Sequence, residues 1–504
     1  MYVLGIDVGT SGCKASVIDG DGAVRGKAYC EYFLTKPRPE WEEIDPHTVW
    51  DAVRSVVAQS IRTAGGVPVA GISVSSFGET VVPVAADGTP LYNGIVYIDP
   101  RGQQEAAQLA ERLGQERVNR ITGATAHSMY SLPKIMWLRE HEPDVYNRTW
   151  KFLLFADYIL FRLGAKPHTD YTLATRTMAF DIVKKEWSRE ILDAAGVSAD
   201  KFAEPVQSGT AVGRIDPAIA AALGINPDAL LVAGGHDQPC AALGAGAIRP
   251  GLAIDGLGTT ECVCPSFTEP VFGGRMTRSG FACVPHVRAG QYVTYAFTFT
   301  SGSMLKWYRD RIQPSIKLDA ETTGINAYDL IIERATPTPS PVLLLPHFAG
   351  AATPYMDNDA VGAMVGLNIN TTRADIAKAI LEGITFEMMV NMDRLEAAGI
   401  QVDELRAVGG LAKSEPFLQL KSDMMGRRIV TLEVTEAGTL GVAMLAGAAA
   451  GLYRSLDDAA ARLVRVRRAF TPNPAVHAAY RERYALYQRM YGAVRDIYAR
   501  PDGN

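Results

Sequence analysis

A short motif occurs twice in this chain, about half its length apart. Ile6-Asp7-Val8-Gly9-Thr10-Ser11 closes the apolar run from Met1, and Ile254-Asp255-Gly256-Leu257-Gly258-Thr259-Thr260 closes another, with one extra residue before the glycine. A strand that runs into glycines and hydroxyls makes a turn whose backbone N–H groups point inward at an anion. Two such turns describe duplicated domains that close on one ligand from both sides. The length agrees, because 504 residues exceed what a single core supports. The expected boundary falls between residues 247 and 248.

Around the first turn, Ala15–Ile18 and Ala23–Cys30 complete a three-strand meander. Lys14 adds charge to the donors of Thr10 and Ser11. No G-x-x-x-x-G-K-[S/T] run occurs here, so this is not a Walker A loop, and taken alone a plain hairpin accounts for it equally well. Pro46–Ala64 has the pattern of an amphipathic helix, and Val67–Ser76 that of a strand ending in Phe77-Gly78-Glu79-Thr80. Val81–Ala85 turns at Asp87-Gly88 into Leu91–Ile98, followed by Asp99-Pro100-Arg101. Polar groups at strand ends collect where open α/β sheets bind ligands, although position alone fits exposed loop charges as well. Lys151–Leu163 is expected as one helix. Ala229–Ala233 is a strand that delivers Gly234-Gly235-His236-Asp237-Gln238. A carboxylate there can accept the proton of an alcohol. His236 is expected to face away from Asp237, since neighbours in a strand alternate.

In the second half Phe281–His286, Tyr292–Thr300 and Val342–Leu345 are strand-like, and Ser301 reads as the N-cap of a helix through Tyr308. Asp375–Ala398 is a long helix. Leu405–Val408 is a strand, and Gly409-Gly410 opens the helix Glu415–Met425, a junction that lets phosphate approach the backbone. Gly438–Ala450 is a buried, glycine-rich helix. The last helix, Ala475–Ala499, places Tyr480, Tyr484, Tyr487, Tyr491 and Tyr498 on one packing face.

A net charge of −5 gives no reason to expect nucleic acid. The longest uncharged apolar run, Ala437–Tyr453, is too short for a bilayer. Six scattered cysteines, of which only Cys262 and Cys264 are close, lack zinc spacing and read as reduced thiols. With no leader-like start, the expected location is cytoplasmic.

Several stretches in order carry a resemblance. They are Met129-Tyr-Ser-Leu-Pro-Lys134-Ile-Met-Trp137-Leu-Arg-Glu-His141, Gly234-Gly-His-Asp237-Gln238, Leu345-Pro346 with Gly350 and Thr353-Pro354-Tyr355, Gly362-Ala-Met-Val-Gly366-Leu367 with Glu382, and Gly409-Gly410 with Gln419, Glu436 and Gly441. Together they resemble the FGGY family of carbohydrate kinases, within the actin-like ATPase superfamily. The resemblance implies an α/β fold of two ribonuclease H-like domains, with mixed sheets flanked by helices and a cleft between. Residues 1–247 would hold the sugar, and residues 248–504 the nucleotide.

It also implies ATP and Mg²⁺, with Asp237 as general base and Asp7 at the metal. Thr10, Ser11 and Lys14 would lie near the phosphates, and Gly258, Thr259, Gly302, Gly409, Gly410 and Lys413 would line the nucleotide side. Phe77, Gly78, Glu79, Asp99, Arg101, Asp237 and Gln238 would face the sugar. Xylulose kinases usually carry Met-His-Gly where this chain has Phe77-Gly78-Glu79, and glycerol kinases Arg-Glu-Thr. The expected substrate is a ketopentose such as D-xylulose. A glycerol- or erythritol-like polyol, or a sugar acid such as gluconate, is the alternative. A non-kinase actin-like ATPase would need a partner-binding region that the chain does not display, and an idle sugar sensor would not need Asp237. The partner is then a small sugar or polyol, neither nucleic acid nor membrane, and a homodimer is compatible with the sequence.

Overall fold

The computed structural model describes residues 1–434 and 436–498. In the first half, β1 (Tyr2–Val8), β2 (Gly12–Asp19) and β3 (Val24–Glu31) form an antiparallel meander. Helix α1 (Pro46–Thr63) crosses over and returns the chain as β4 (Val69–Ser76), parallel to β1. The edge strand β5 (Ala211–Arg214) is antiparallel to β6 (Leu230–His236), which lies parallel to β4, giving the order β5-β6-β4-β1-β2-β3. Helix α2 (Asp237–Gly244) leaves this sheet.

The second half repeats the plan. Strands β7 (Gly251–Leu257), β8 (Glu261–Phe267) and β9 (Ala296–Thr298) are antiparallel neighbours. The long α3 (Arg373–Ala397) crosses to β10 (Val402–Val408), parallel to β7, and β11 (Arg428–Leu432) is parallel to β10. After α4 (Ala437–Ala449), β12 (Val466–Phe470) closes the edge antiparallel to β11. The pairing of these six strands matches the first sheet, and Tyr292–Val293 and Val284–Pro285 extend the second beyond β8. This is the mixed, helix-flanked α/β architecture that the resemblance implied.

The local causes are ordinary. Asp45 accepts the N–H groups of His47 and Thr48, and Pro46 takes the first helical position, so α1 begins there. Strand β4 is buried on both faces because helices cover both. One of them, α4, comes from the second half and packs on β1, β4 and β6. One of its glycines, Gly441, is explained by α2. A Cβ on Gly441 would stand 1.9 Å from the Cys240 carbonyl oxygen, and one on Gly244 1.9 Å from that of Ala437. The two helices cross backbone to backbone, and any side chain at either point would force the halves apart.

Several expected elements are revised. Lys151–Leu163 is not one helix. Lys151–Leu154 is a strand paired with Val81–Val84, and the helix Phe155–Arg162 starts where Asp157 accepts the Leu154 N–H. Of Leu91–Ile98 only Gly94–Ile95 pairs, and of Phe281–His286 only Val284–Pro285. The last helix is two, Pro474–Tyr487 and Met490–Tyr498; the expected end at Ala499 lies outside the described residues. Its tyrosines do pack, since Tyr480, Tyr484 and Tyr487 donate to Glu382, Asp393 and Glu387. Tyr498 does not join them, being exposed. All six cysteines are free thiols. Among the described residues, no helix is long and apolar enough to cross a membrane.

Candidate active site

The carboxyl ends of β1, β4 and β6 lie side by side, with Val8 opposite Ser76 and Ser76 opposite His236. They deliver Asp7, Phe77-Gly78-Glu79 and Asp237 to one place. Asp237 is the first residue of α2. Its Oδ1 is shielded from solvent and makes no well-formed hydrogen bond, with the His236 ring as a close polar neighbour. Burial, followed by the nearby charges of Asp7 and Glu79, pushes its pKa up to about 7. A carboxylate whose pKa lies near neutrality can exchange a proton at working pH.

His236 does not turn away as expected. Strand alternation stops at the helix start, so the ring folds back until Nε2 stands 3.2 Å from Asp237 Oδ1. Burial and the Arg176 charge hold the imidazole pKa well below its usual value, so the ring is neutral. Its Nδ1 is 3.0 Å from the hydroxyl of Tyr295, a residue of the second half.

Glu79 adopts the left-handed backbone (φ 63°), and its Oε1 accepts both Nε (2.6 Å) and Nη2 of Arg176. Glu79, expected to face the sugar, therefore has one oxygen already committed to Arg176. Arg176 lies over the rings of Tyr130 and Tyr295, 5.1 and 5.4 Å from their centroids. A Cβ on Gly78 would stand 2.7 Å from Arg176 Cγ. The glycine makes room for a guanidinium that arrives from a distant segment, which no local motif could reveal.

Three expected sugar contacts are spent elsewhere. Phe77 is buried and packs on Phe155, ring centroids 5.0 Å apart. Asp99 and Arg101 grip one another through two hydrogen bonds of 2.9 and 2.6 Å, and Arg101 also reaches Glu43 at 2.8 Å. With the Arg101 guanidinium 3.8 Å from the Trp41 ring centroid, and Lys134 donating to both of their carbonyls, this buried network shapes a wall instead of presenting groups to a ligand. Gln238 stays half-buried beside Asp237.

Between β1 and β2, Thr10 and Ser11 form the turn, which is tied by Gly9 N–H to the Gly12 carbonyl at 2.9 Å and by Tyr32 Oη to the Gly9 carbonyl at 2.5 Å. Asp7 Oδ1 accepts the Ser75 hydroxyl at 2.8 Å, and burial raises its pKa. Lys14 Nζ reaches Glu436 of the second half at 3.0 Å.

Across the cleft, Gly258, Thr259, Gly302, Gly410 and Lys413 line a cavity of about 430 Å³, with Tyr328 and Asn326 among its unforeseen walls. Gly409, Gly410, Lys413, Lys14 and Glu436 line a neighbouring cavity of about 660 Å³. Gly409 has φ 98°, and a Cβ there would stand 2.6 Å from the Leu257 carbonyl oxygen. The helix Glu415–Met425 does not begin at the glycines. A one-turn 3₁₀ segment, Leu411–Lys413, intervenes, and Ser414 caps the helix. Nor does the Ser301 side chain cap; its Oγ turns to Glu261 at 3.3 Å.

Comparison with known proteins agrees. Residues 2–244 match the N-terminal domain of the FGGY family of carbohydrate kinases, and residues 256–450 its C-terminal domain. The chain is 28% identical to xylulose kinase from Bacillus subtilis (strain 168) over 498 residues, 98% of each protein. It is 31% identical to glycerol kinase from Methylibium petroleiphilum over 517 aligned positions, 99% of each. A solved structure of a xyloylose kinase from Brucella ovis superimposes with a TM-score of 0.88 at 26% identity, covering 99% of this chain and 100% of that one.

Proposed function

The chain belongs to the FGGY family of carbohydrate kinases, and from that premise we propose that it moves the γ-phosphoryl group of ATP to a hydroxyl of a ketopentose such as D-xylulose, with Asp237 as general base. The observation that carries this is the Asp237 carboxylate, gathered with Asp7 and Glu79 at the head of three strands and raised by burial and those charges to a pKa of about 7. The sugar hydroxyl gives its proton to that carboxylate as its oxygen bonds to the γ-phosphorus, and ADP leaves with the bridging oxygen. Glu79 and Gln238 hold other hydroxyls, and Arg176 fixes Glu79.

Magnesium fits Asp7. Only one of its oxygens is taken, and Gly438 faces the carboxylate so closely that a Cβ would stand 3.3 Å from Oδ2. A single carboxylate plus substrate phosphates is how this ion is usually held, and it would neutralise charge on the transferring group. Thr10, Ser11 and Lys14 line the phosphate path. Gly258, Thr259, Gly302, Gly409, Gly410 and Lys413 receive the nucleotide. We set the domain boundary at 247/248, beyond α2, and the site of action in the cytoplasm, in keeping with six free thiols.

The second reading, a polyol or sugar-acid kinase, is favoured by Glu79-Thr80 and by the glycerol kinase relative. An ADP-release assay across pentuloses, polyols and sugar acids separates the two. We expect the highest kcat/KM on a pentulose; a tenfold preference for glycerol or gluconate would replace the first reading by the second.

A further inference from the structure

A cavity of about 460 Å³ lies in the second half and shares no residue with those of the nucleotide side. Four arginines converge on it: Arg275 and Arg278 from the helix Gly274–Arg278, Arg394 from the last turn of α3, and Arg495 from the helix Met490–Tyr498. Tyr355 and Tyr491, stacked at 3.8 Å, supply an aromatic wall. No Asp or Glu lines it. Some arginines elsewhere are paired with carboxylates, as at Arg117–Glu190, Arg288–Asp457 and Arg468–Glu415. Here, among the described residues, Arg278 and Arg394 make no ion pair, and Arg495 meets only Asp496, at 3.9 Å, on its own helix.

Four like charges around one concavity repel each other unless an anion joins them. Guanidinium forks match phosphate and carboxylate oxygens in pairs. The volume suits a small metabolite and not a protein segment. Arg275 is fixed at the rim by donating to the Ala397 carbonyl, so part of the site is preformed.

We infer that this cavity is a second binding site, for a small anion carrying at least two phosphate or carboxylate groups. It is set apart from the catalytic residues, and the helix that supplies two of its arginines touches both halves. The helix Gly274–Arg278 packs on α3, and Gly273 just before it donates to Asn119 of the first half at 3.1 Å.

Calorimetry on the whole protein, with ADP, Mg²⁺ and sugar saturating the active site, tests this with inorganic pyrophosphate and with citrate as probes. At least one probe is expected to bind, more weakly as salt rises. Binding should fall at least tenfold in Arg278→Glu/Arg394→Glu and in the milder Arg278→Gln/Arg394→Gln, with kcat within twofold of the parent. Tighter pyrophosphate assigns phosphate as the ligand chemistry, and tighter citrate assigns carboxylate. No binding of either probe, or binding untouched by both variants, overturns the site.

Discussion

The two aspartates of the repeated motif occupy the same place and live opposite lives. Asp7 is opposite Ser75, and Asp255 is opposite Ala407, each pair one residue short of the end of the parallel strand. Ser75 gives Asp7 Oδ1 a single hydroxyl, and Oδ2 lies towards Gly438. Ala407 can give nothing, and Asp255 is instead sealed under Lys421, whose Nζ sits 2.5 Å from Asp255 and 2.6 Å from Glu261, all three fully buried. Both carboxylates hold the lysine charged. One copy of the turn leaves its carboxylate with a single hydroxyl partner, as the proposed metal role requires. The other has neutralised it internally and keeps only the backbone, pinned to Gly302 and Ser303 by hydrogen bonds to the Gly258 and Thr259 carbonyls. Duplicated geometry does not imply duplicated chemistry; the residue opposite decides.

The difference can be broken from either side. The largest effect on stability is expected from Lys421→Met, which strands two buried carboxylates. Breaking such a pair costs about 3–5 kcal/mol, read from the urea midpoint; a loss below about 1 kcal/mol would mean that the triad does not hold the second turn. Asp7→Asn should do the reverse. It should leave stability nearly unchanged and lower kcat about 100-fold, roughly 3 kcal/mol of transition-state stabilisation. An Asp255→Asn variant losing turnover as steeply with its fold intact would erase the asymmetry.

A smaller effect concerns pH. Asp237 must be ionised to accept a proton, and its pKa is raised to about 7. Activity should therefore fall as pH drops through about 7, and kcat/KM against pH checks it. The Arg176 charge lowers that pKa, so Arg176→Met should move the acid limb to higher pH. The smallest effect is expected at Lys14, whose pair with Glu436 is about two-fifths exposed (43% and 41%). Lys14→Ala should change stability by less than about 1 kcal/mol and raise KM for ATP a few-fold.

The repeated turn, the strand that delivers Asp237 and the glycine junction at Gly409 were legible because each is local, a strand followed by residues that only a turn tolerates. The glycine helix was legible as buried but not as the crossing partner of α2. His236 was misread because strand periodicity was carried one residue too far, past the start of α2. Arg176 and Tyr295 were out of reach, since only the fold carries them to Glu79 and His236. Asp99 and Arg101 misled in the opposite direction. Polar residues at a strand end look like ligand contacts until Glu43, Trp41 and Lys134, distant in sequence, are seen to satisfy them.

The most direct test is Asp237→Asn, assayed in parallel for sugar binding by calorimetry and for ADP release with the preferred sugar. The arrangement predicts sugar affinity within about threefold of the parent and turnover reduced by about 10³-fold, the range of a lost general base. Turnover within tenfold of the parent, with sugar still bound, would contradict the assignment of Asp237 as the base.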